Sequence, residues 1–430
     1  MASLLIKGGR VLSPEDNLDG ELDILVEDGV IRRIGPGLTE RADETLDARG
    51  QVVAPGFVDI HVHLREPGGE ISETLETGLA AAVAGGFTAV CPMPNTKPVI
   101  DHPELVRSTI EKARQLGLAR VFPIAAVSME SNGESLTDFG ALVAAGAVAF
   151  SDDGRPVKTA GLMRRAMEKA REFGAPIIDH CEDTSLSFRG VINEGAVAER
   201  LGLRGIPNSS EDVCVARDLI VAESTGAHLH VAHLSTARAV EMVRVGKQRG
   251  TRVTCEVTPH HFTLTDEAVA EHGTHAKMNP PLRSGKDLEA LLAGFADGTV
   301  DCIATDHAPH APELKAKRFA DAPFGVIGLE TALGLAMTQL VHSGRISLAR
   351  LIILMSTNPA RIINPSTDGP LGRLQVDGAA DITVFDPNLE WTYHAAEGRS
   401  KSRNSPFDGW KLKGAATATV VAGRTVFRRP

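Results

Sequence analysis

Cysteine, the larger aromatics and long hydrophobic runs are all scarce in this chain of 430 residues, and each scarcity removes a class of protein. The five cysteines (Cys91, Cys181, Cys214, Cys255 and Cys302) are scattered, odd in number and never form a CxxC pair. Such a set reads as a reduced, cytoplasmic protein without a sulfur-based metal site. One Tyr and two Trp provide no base-stacking platform. The balance of 45 Lys+Arg against 55 Asp+Glu, net −10, provides no basic face for a phosphate backbone, so nucleic acid is excluded as a partner. The longest apolar stretches, such as residues 79–83 and 351–355, are far shorter than the roughly 20 residues of a membrane span. Residues 1–10 lack the pattern of a cleavable signal. The glycine-rich stretches sit in neither a GxxxxGK nor a GxGxxG context, so a nucleotide site has no support.

What is present is size, glycine and histidine. The length would allow about three domains at roughly 150 residues each, or one α/β barrel of about 250 residues with a satellite. The pattern selects the second. Residues 4–7, 23–26 and 30–34 read as short strands, with a turn signal at Glu27-Asp28-Gly29. The other end, residues 381–386 and 418–426 broken at Ala422-Gly423, reads the same way. Neither terminus can close a core alone, so residues 1–54 and 366–430 are expected to share one small β-sandwich. Between them, residues 55–365 alternate strand and helix. Eight apolar runs (56–62, 87–92, 120–127, 147–150, 176–178, 228–231, 252–257 and 300–304) are mostly continuous, as in parallel strands covered on both faces. Helical stretches follow: Asp101 caps a run over 104–116 with Pro103 in its first turn and Gly117 at its end. Further stretches over 162–173, 213–224 and 237–248 each stop at or near a glycine. The fold class is therefore α/β, a (β/α)8 barrel with a sandwich built from both termini.

In such a barrel the chemistry lies where strands end. Here strand one ends in His61-Val62-His63, strand two in Pro92-Met93-Pro94-Asn95 and strand four in Ser151-Asp152-Asp153. Strand five ends in Asp179-His180, strand six in Ala232-His233 and strand eight in Asp306-His307. Residues i and i+2 of a strand share a side, so His61 and His63 can face one ion. Imidazole with carboxylate suits zinc or a similar divalent metal. Four histidines with Asp153 and Asp306 exceed one ion's needs and favour two, sharing a bridging carboxylate and a bridging water or hydroxide. One of Asp152 and Asp153 is expected to cap the next helix instead. Asp59 is expected to orient a ligand rather than bind metal, His260-His261 to lie in a turn, and Cys91, Cys181 and Cys255 to pack as small core residues.

The run Asp59-Ile60-His61-Val62-His63-Leu64-Arg65-Glu66-Pro67-Gly68 resembles the first signature of the dihydroorotases of the amidohydrolase superfamily. Ala304-Thr305-Asp306-His307-Ala308-Pro309-His310 resembles the second. Met93-Pro94-Asn95-Thr96, Ser151-Asp152-Asp153-Gly154 and Met278-Asn279-Pro280-Pro281-Leu282-Arg283 are also similar, and the resemblance runs over essentially the whole chain. It implies a zinc-dependent cyclic amide hydrolase that interconverts (S)-dihydroorotate and N-carbamoyl-L-aspartate in pyrimidine biosynthesis. His61, His63 and Asp306 would hold one zinc and His180 and His233 the other. Asp153 would bridge in place of a carboxylated lysine, since Lys158 lies past Gly154-Arg155-Pro156. Asp306 would also serve as general base and then acid. Arg65 would anchor the substrate carboxylate with Asn95 and His310 beside it, and His63, Leu64, Asn279, Phe324 and Gly325 would complete the substrate site. Where the family continues toward a Glu-Lys pair after the second signature, this chain keeps only the lysine, Lys315. Residues 308–324 are expected to form a mobile lid. A homodimer is the family's habit, and association with aspartate transcarbamoylase is open to an active member. The rival functions are a dihydropyrimidinase, hydantoinase or allantoinase with the same barrel and metals, and an inactive scaffold partner of aspartate transcarbamoylase. Arg65, Asn95 and an aspartate bridge argue against the first. The intact HxH pair and Asp306 argue against the second.

Overall fold

The computed structural model describes residues 3–365 and 371–430. Among them eight parallel strands close a barrel. The first four are Phe57–Val62, Phe87–Pro92, an interrupted third (Arg120–Val121 and Ile124–Ala125) and Ala149–Phe150. Ile177–Asp179, Leu229–Val231, Val253–Val257 and Cys302–Ile303 complete it. Each overlaps one of the eight apolar runs. The third strand breaks at Phe122-Pro123, where proline has no amide hydrogen to give a ladder. Closure comes from the His63 amide, which donates to the His307 carbonyl at 2.8 Å and joins the end of strand eight to strand one. Strands one and two are buried at every residue, which explains why their sequences do not alternate.

Helices follow the strands as the caps indicated, with one shift. Pro103–Leu116 has its proline in the first turn and ends on Gly117 at φ 62°, but its N-cap is His102 rather than Asp101. The Asp101 carboxylate is taken by His102 Nδ1 (2.6 Å) and the Glu130 amide (2.8 Å). Ala160–Glu172 and Ala237–Gln248 start at Thr159 and Thr236, whose hydroxyls accept first-turn amides. Asn208–Thr225 ends at Gly226.

The two termini join in one eight-stranded sheet among the described residues. Ser3–Ser13 bends at Gly8-Gly9: its first half pairs with Glu44–Asp47 and its second with Val52–Pro55. Val52–Pro55 in turn pairs antiparallel with Ile382–Thr392, the first strand of the C-terminal part. Both expected hairpin turns form. Asp28-Gly29 (φ 51° and 82°) and Ala422-Gly423 (φ 47° and 76°) place both central residues in the left-handed region, as a tight hairpin requires. Leu4, Ile6, Ile24, Val53, Ile382 and Val420 share one core from both ends of the chain. The sheet runs to Pro55, one residue past the expected boundary, and the expected second boundary at 366 lies outside the described residues. Phe57 touches Phe87 and Phe385 with ring centroids 6.2 and 5.9 Å apart, so barrel and sheet meet on buried aromatics. Each ring contributes about 1.5–3 kcal/mol by burial. No helix of the described residues is long and apolar enough to cross a membrane.

Candidate metal centre

The strand ends bring the expected ligands together. His63 Nε2 lies 3.0 Å and His61 Nε2 3.6 Å from Asp306 Oδ1. Asp153 reaches both halves: Oδ2 is 3.5 Å from His63 Nε2, while Oδ1 is 3.5 Å from His61 Nε2, 3.6 Å from His180 Nδ1 and 3.8 Å from His233 Nε2. His180 Nδ1 and His233 Nε2 are 2.8 Å apart. Ligands about 2.0–2.1 Å from a tetrahedral ion stand about 3.3 Å from one another, close to most of these separations. Two sets of three, His61/His63/Asp306 and His61/Asp153/His233, have donor atoms mutually close enough for an ion. Two donors at the centre, His61 Nε2 and Asp153 Oδ1, are buried and meet no hydrogen-bond partner. The residues therefore fit a divalent metal: these orphaned atoms would find their partner in it.

Side chains behind the ligands set their ring faces. Glu256 Oε1 accepts from His61 Nδ1 at 2.5 Å and Asn95 Oδ1 accepts from His63 Nδ1 at 2.9 Å, so both Nε2 atoms point bare into the centre. Strand eight separates strands one and seven, so the His61–Glu256 contact crosses the barrel interior. Glu256 also accepts from His230 Nε2 (3.2 Å) and the His233 amide (3.1 Å). Asp59 has the orienting place expected of it, accepting from the His61 amide (3.1 Å) and the Thr305 hydroxyl (2.6 Å). Burial pushes its carboxyl up to about 7, against those hydrogen bonds. Of the adjacent aspartates, Asp152 accepts from the Ser128 amide and hydroxyl (3.1 and 2.5 Å), and only Asp153 faces the histidines. Lys158 is exposed and takes no part. His261 is bonded to Thr258 and the Pro280 carbonyl, and neither it nor His260 joins a ligand set.

The electrostatics suit cations. Burial opposes charge on Asp306, yet the His63 hydrogen bond and the His61, His63 and His233 charges hold its carboxyl down at about 2. Burial likewise disfavours the His180 cation, but Glu182 and Asp153 raise its pKa to about 9. His61 is pushed well above its ordinary value by Glu256, Asp153 and Asp306 in spite of its burial. Positive φ at His233 (30°) and Asp306 (45°) adds strain held by the surrounding packing, as is common where ligands must be aimed.

Beside the ligands a cavity of about 190 Å³ is lined by Arg65, Asn95, Asn279, His310, Phe324 and Gly325 with the ligand residues. Arg65, at φ 60°, donates to the Pro309 carbonyl (3.1 Å), and its Nη2 lies 3.3 Å from His310 Nε2. Burial lowers its pKa to about 10, so it remains a cation at neutral pH. Asn95 lines the same cavity as Arg65, and its amide donates to Asp153 Oδ2 (3.1 Å) while its oxygen holds His63. Asn279 donates to Glu182 Oε2 at 2.8 Å. Leu64 does not line the cavity. It packs into the hydrophobic core, against the place where a side chain on Gly78 would stand.

The segment 308–324, expected as a lid, is fastened by three side chains. The buried Lys315 ammonium donates to the carbonyls of Lys277 (3.3 Å), Pro323 (3.0 Å) and Gly325 (2.9 Å). The Lys277 ammonium donates to those of Phe319 (2.6 Å), Ala320 (3.2 Å) and Ala322 (2.6 Å). Asn404, from the C-terminal part, donates to the Ala308 and Gly325 carbonyls (2.9 and 3.0 Å) and accepts from the His310 amide (3.1 Å). Glu256, Glu182 and Asn404 were not picked out from sequence. Glu256 had a signal, a charge inside an apolar run, whereas Asn404 had none.

A (β/α)8 barrel with histidines and aspartates converging at its C-terminal mouth, completed by a sheet from both termini, defines an amidohydrolase architecture. A family model for dihydro-orotase-like proteins matches residues 50–239. The chain is 50% identical over 427 residues to a dihydroorotase of Geobacter sp. (strain M21), covering 99% of each. It is 51% identical over 428 residues to one of Pelobacter propionicus, covering 99% of this chain and 100% of that one. Among solved structures it matches the L-hydantoinase (dihydropyrimidinase) from Arthrobacter aurescens with a TM-score of 0.89 at 26% identity, over 100% of this chain and 96% of that one. It matches a D-hydantoinase from Thermus sp. with a TM-score of 0.82 at 26% identity, over 99% and 95%. The chain belongs to the dihydroorotase family.

Proposed function

We propose that the chain is a zinc-dependent dihydroorotase, adding water to the ring amide of (S)-dihydroorotate to give N-carbamoyl-L-aspartate and catalysing the reverse closure. The observation that carries this is the pairing of a partly buried guanidinium, Arg65, with the His/Asp cluster in one small cavity. The substrate of a dihydroorotase has a carboxylate outside the ring, and dihydrouracil and hydantoin have none. In this proposal His61, His63 and Asp306 would hold one zinc, His180 and His233 would hold the other, and Asp153 would serve both. Two bound zinc ions would supply Lewis acidity and lower the pKa of water.

The chain's own groups divide the remaining work. Arg65 binds the ring carboxylate through its fork of donors, with His310 beside it. Asn279 and the backbone at Phe324-Gly325 hold the ring flat against the ligands. Asp306, a carboxylate throughout the neutral range, accepts the proton of the attacking water and returns it to the ring nitrogen as the C–N bond breaks. The biosynthetic direction reverses these transfers. A homodimer, on the family's habit, and a cytoplasmic site of action, on the scattered unpaired cysteines, belong to the same proposal, and association with aspartate transcarbamoylase stays open to it.

Hydantoinase activity is the second reading, favoured by the TM-score of 0.89 to a hydantoinase. Initial rates on dihydroorotate, hydantoin, dihydrouracil and allantoin separate the two, with Asp306→Asn beside the wild type. Turnover of dihydroorotate and a fall of about 10²–10⁴-fold in Asp306→Asn are expected. Turnover of dihydrouracil without dihydroorotate would sink the proposal.

A further inference from the structure

Behind His180 lies a second cluster. Asp179 and Cys181 flank His180 in sequence, and alternation along the extended chain turns them to the side opposite its ring. They meet Cys214 and Asp218, which share one face of the helix Asn208–Thr225 at a spacing of four. All four side chains are buried, between 0% and 3% exposed. Cys181 Sγ lies 3.7 Å from Asp179 Oδ2 and 3.5 Å from Asp218 Oδ2. Cys214 Sγ lies 3.7 Å from each of the same two oxygens. The four donor atoms all stand within 4.8 Å of one another. Cys181 packs in the core as expected, and it and Cys214 also stand beside two buried carboxylates.

The distances are those of a coordination shell. With metal–sulfur bonds of about 2.3 Å and metal–oxygen bonds of about 2.0–2.2 Å, a tetrahedral ion sets sulfur and oxygen ligands about 3.5 Å apart. The four sulfur–oxygen separations here are 3.5–3.7 Å. A mixed thiolate–carboxylate set suits zinc and softer divalent ions rather than magnesium or calcium. We propose that Asp179, Cys181, Cys214 and Asp218 form a structural site for a zinc-class divalent cation, separate from the catalytic cluster. Binding releases the two thiol protons to solvent. The ion and the Arg217 guanidinium then offset three of the four ligand charges. Arg217 is compatible with the ion: its Nε donates to Asp218 Oδ1 (2.8 Å), leaving Oδ2 to the metal, and its Nη1 donates to the Val157 carbonyl (2.6 Å). Its Nη2 reaches Asp179 Oδ2 only at 3.4 Å. The site ties the end of the strand that bears His180 to the helix outside it.

Cobalt(II) substitution in the full chain tests the site, because the His/Asp cluster contains no cysteine and cannot give a sulfur-to-cobalt charge-transfer band. The wild type is expected to show that band with the intensity of two thiolates, and Cys214→Ser to show about half of it or none. A wild type without the band overturns the proposal. So does a band of unchanged intensity in Cys214→Ser, since Cys214 would then not be one of the two thiolate ligands. Should Cys214→Ser fail to fold, zinc X-ray absorption of the wild type decides. Sulfur neighbours at about 2.3 Å support the site, and a shell of nitrogen and oxygen alone overturns it.

Discussion

On one wall of the cavity stands His63, with His61 buried behind it at the end of a six-residue barrel strand, and Glu256 and Asn95 fix the two rings by their far nitrogens. On the facing wall, Phe324 and Gly325 belong to a loop held by ammonium groups and by Asn404. The first wall is positioned by ladder hydrogen bonds and side-chain pairs that are buried on all sides. The second is positioned by lysine side chains gripping backbone carbonyls, and lysine titrates. Metal binding should therefore tolerate conditions that disturb substrate binding, and changes to the two walls should separate into metal content on one side and KM or loop mobility on the other.

The largest effect is expected at Asp153, the proposed bridge. Asp153→Ala should abolish metal occupancy and bring activity to background, read by elemental analysis beside the assay. Full occupancy in that variant would remove Asp153 as the bridge. Next comes the anchor: Arg65→Ala removes charge-assisted hydrogen bonds of about 1.5–3 kcal/mol, so KM for dihydroorotate should rise roughly 10–100-fold with metal content unchanged. A loss of metal in that variant would erase the division between the walls. Glu256→Gln keeps the shape but weakens the orientation of His61, and metal affinity should fall by about 10–100-fold, measured by competition with a chelator. Unchanged affinity would mean that the strand alone aims the ring.

The smallest effect concerns the loop. Burial lowers Lys315 to about 7 from an ordinary 10.5. Above pH 7 the buried group is increasingly the neutral amine, and an opened loop would return it to water, where it takes up a proton, so between pH 7 and roughly 10 the fastened form gains stability as pH rises. Tryptic cutting near Lys317 and Arg318, corrected for the protease's own pH profile, should slow a few-fold from pH 7 to 9. Faster cutting would show that losing one of the three carbonyl contacts outweighs relief from burying a charge.

The barrel and most of its ligands were legible because they depend on short-range rules. Parallel strands covered on both faces must be continuous apolar runs, and the polar residues that end them stand at the mouth wherever the barrel closes. The HxH spacing put two imidazoles on one side before any tertiary contact was known. What misled was position without environment. Leu64 lies between a ligand and the anchor, yet its side chain turns into the core. Asp101 has the composition of a cap, yet its carboxylate is claimed by His102 and Glu130. Spacing alone does not separate Asp152 from Asp153, and in the structure Ser128 takes the first, leaving Asp153, the expected one, to face the histidines.

Local chemistry and period, carried in the chain itself, decided that this protein is a closed barrel with histidine and aspartate at its mouth and a sheet shared by its ends. Only the tertiary structure decided which groups stand behind those ligands. Glu256 reaches His61 across the barrel interior, Asn404 reaches Gly325 across 79 residues, and Cys214 reaches Asp179 across 35. Contacts of that range are set by strand order and helix packing, and no spacing rule within a single element can specify them.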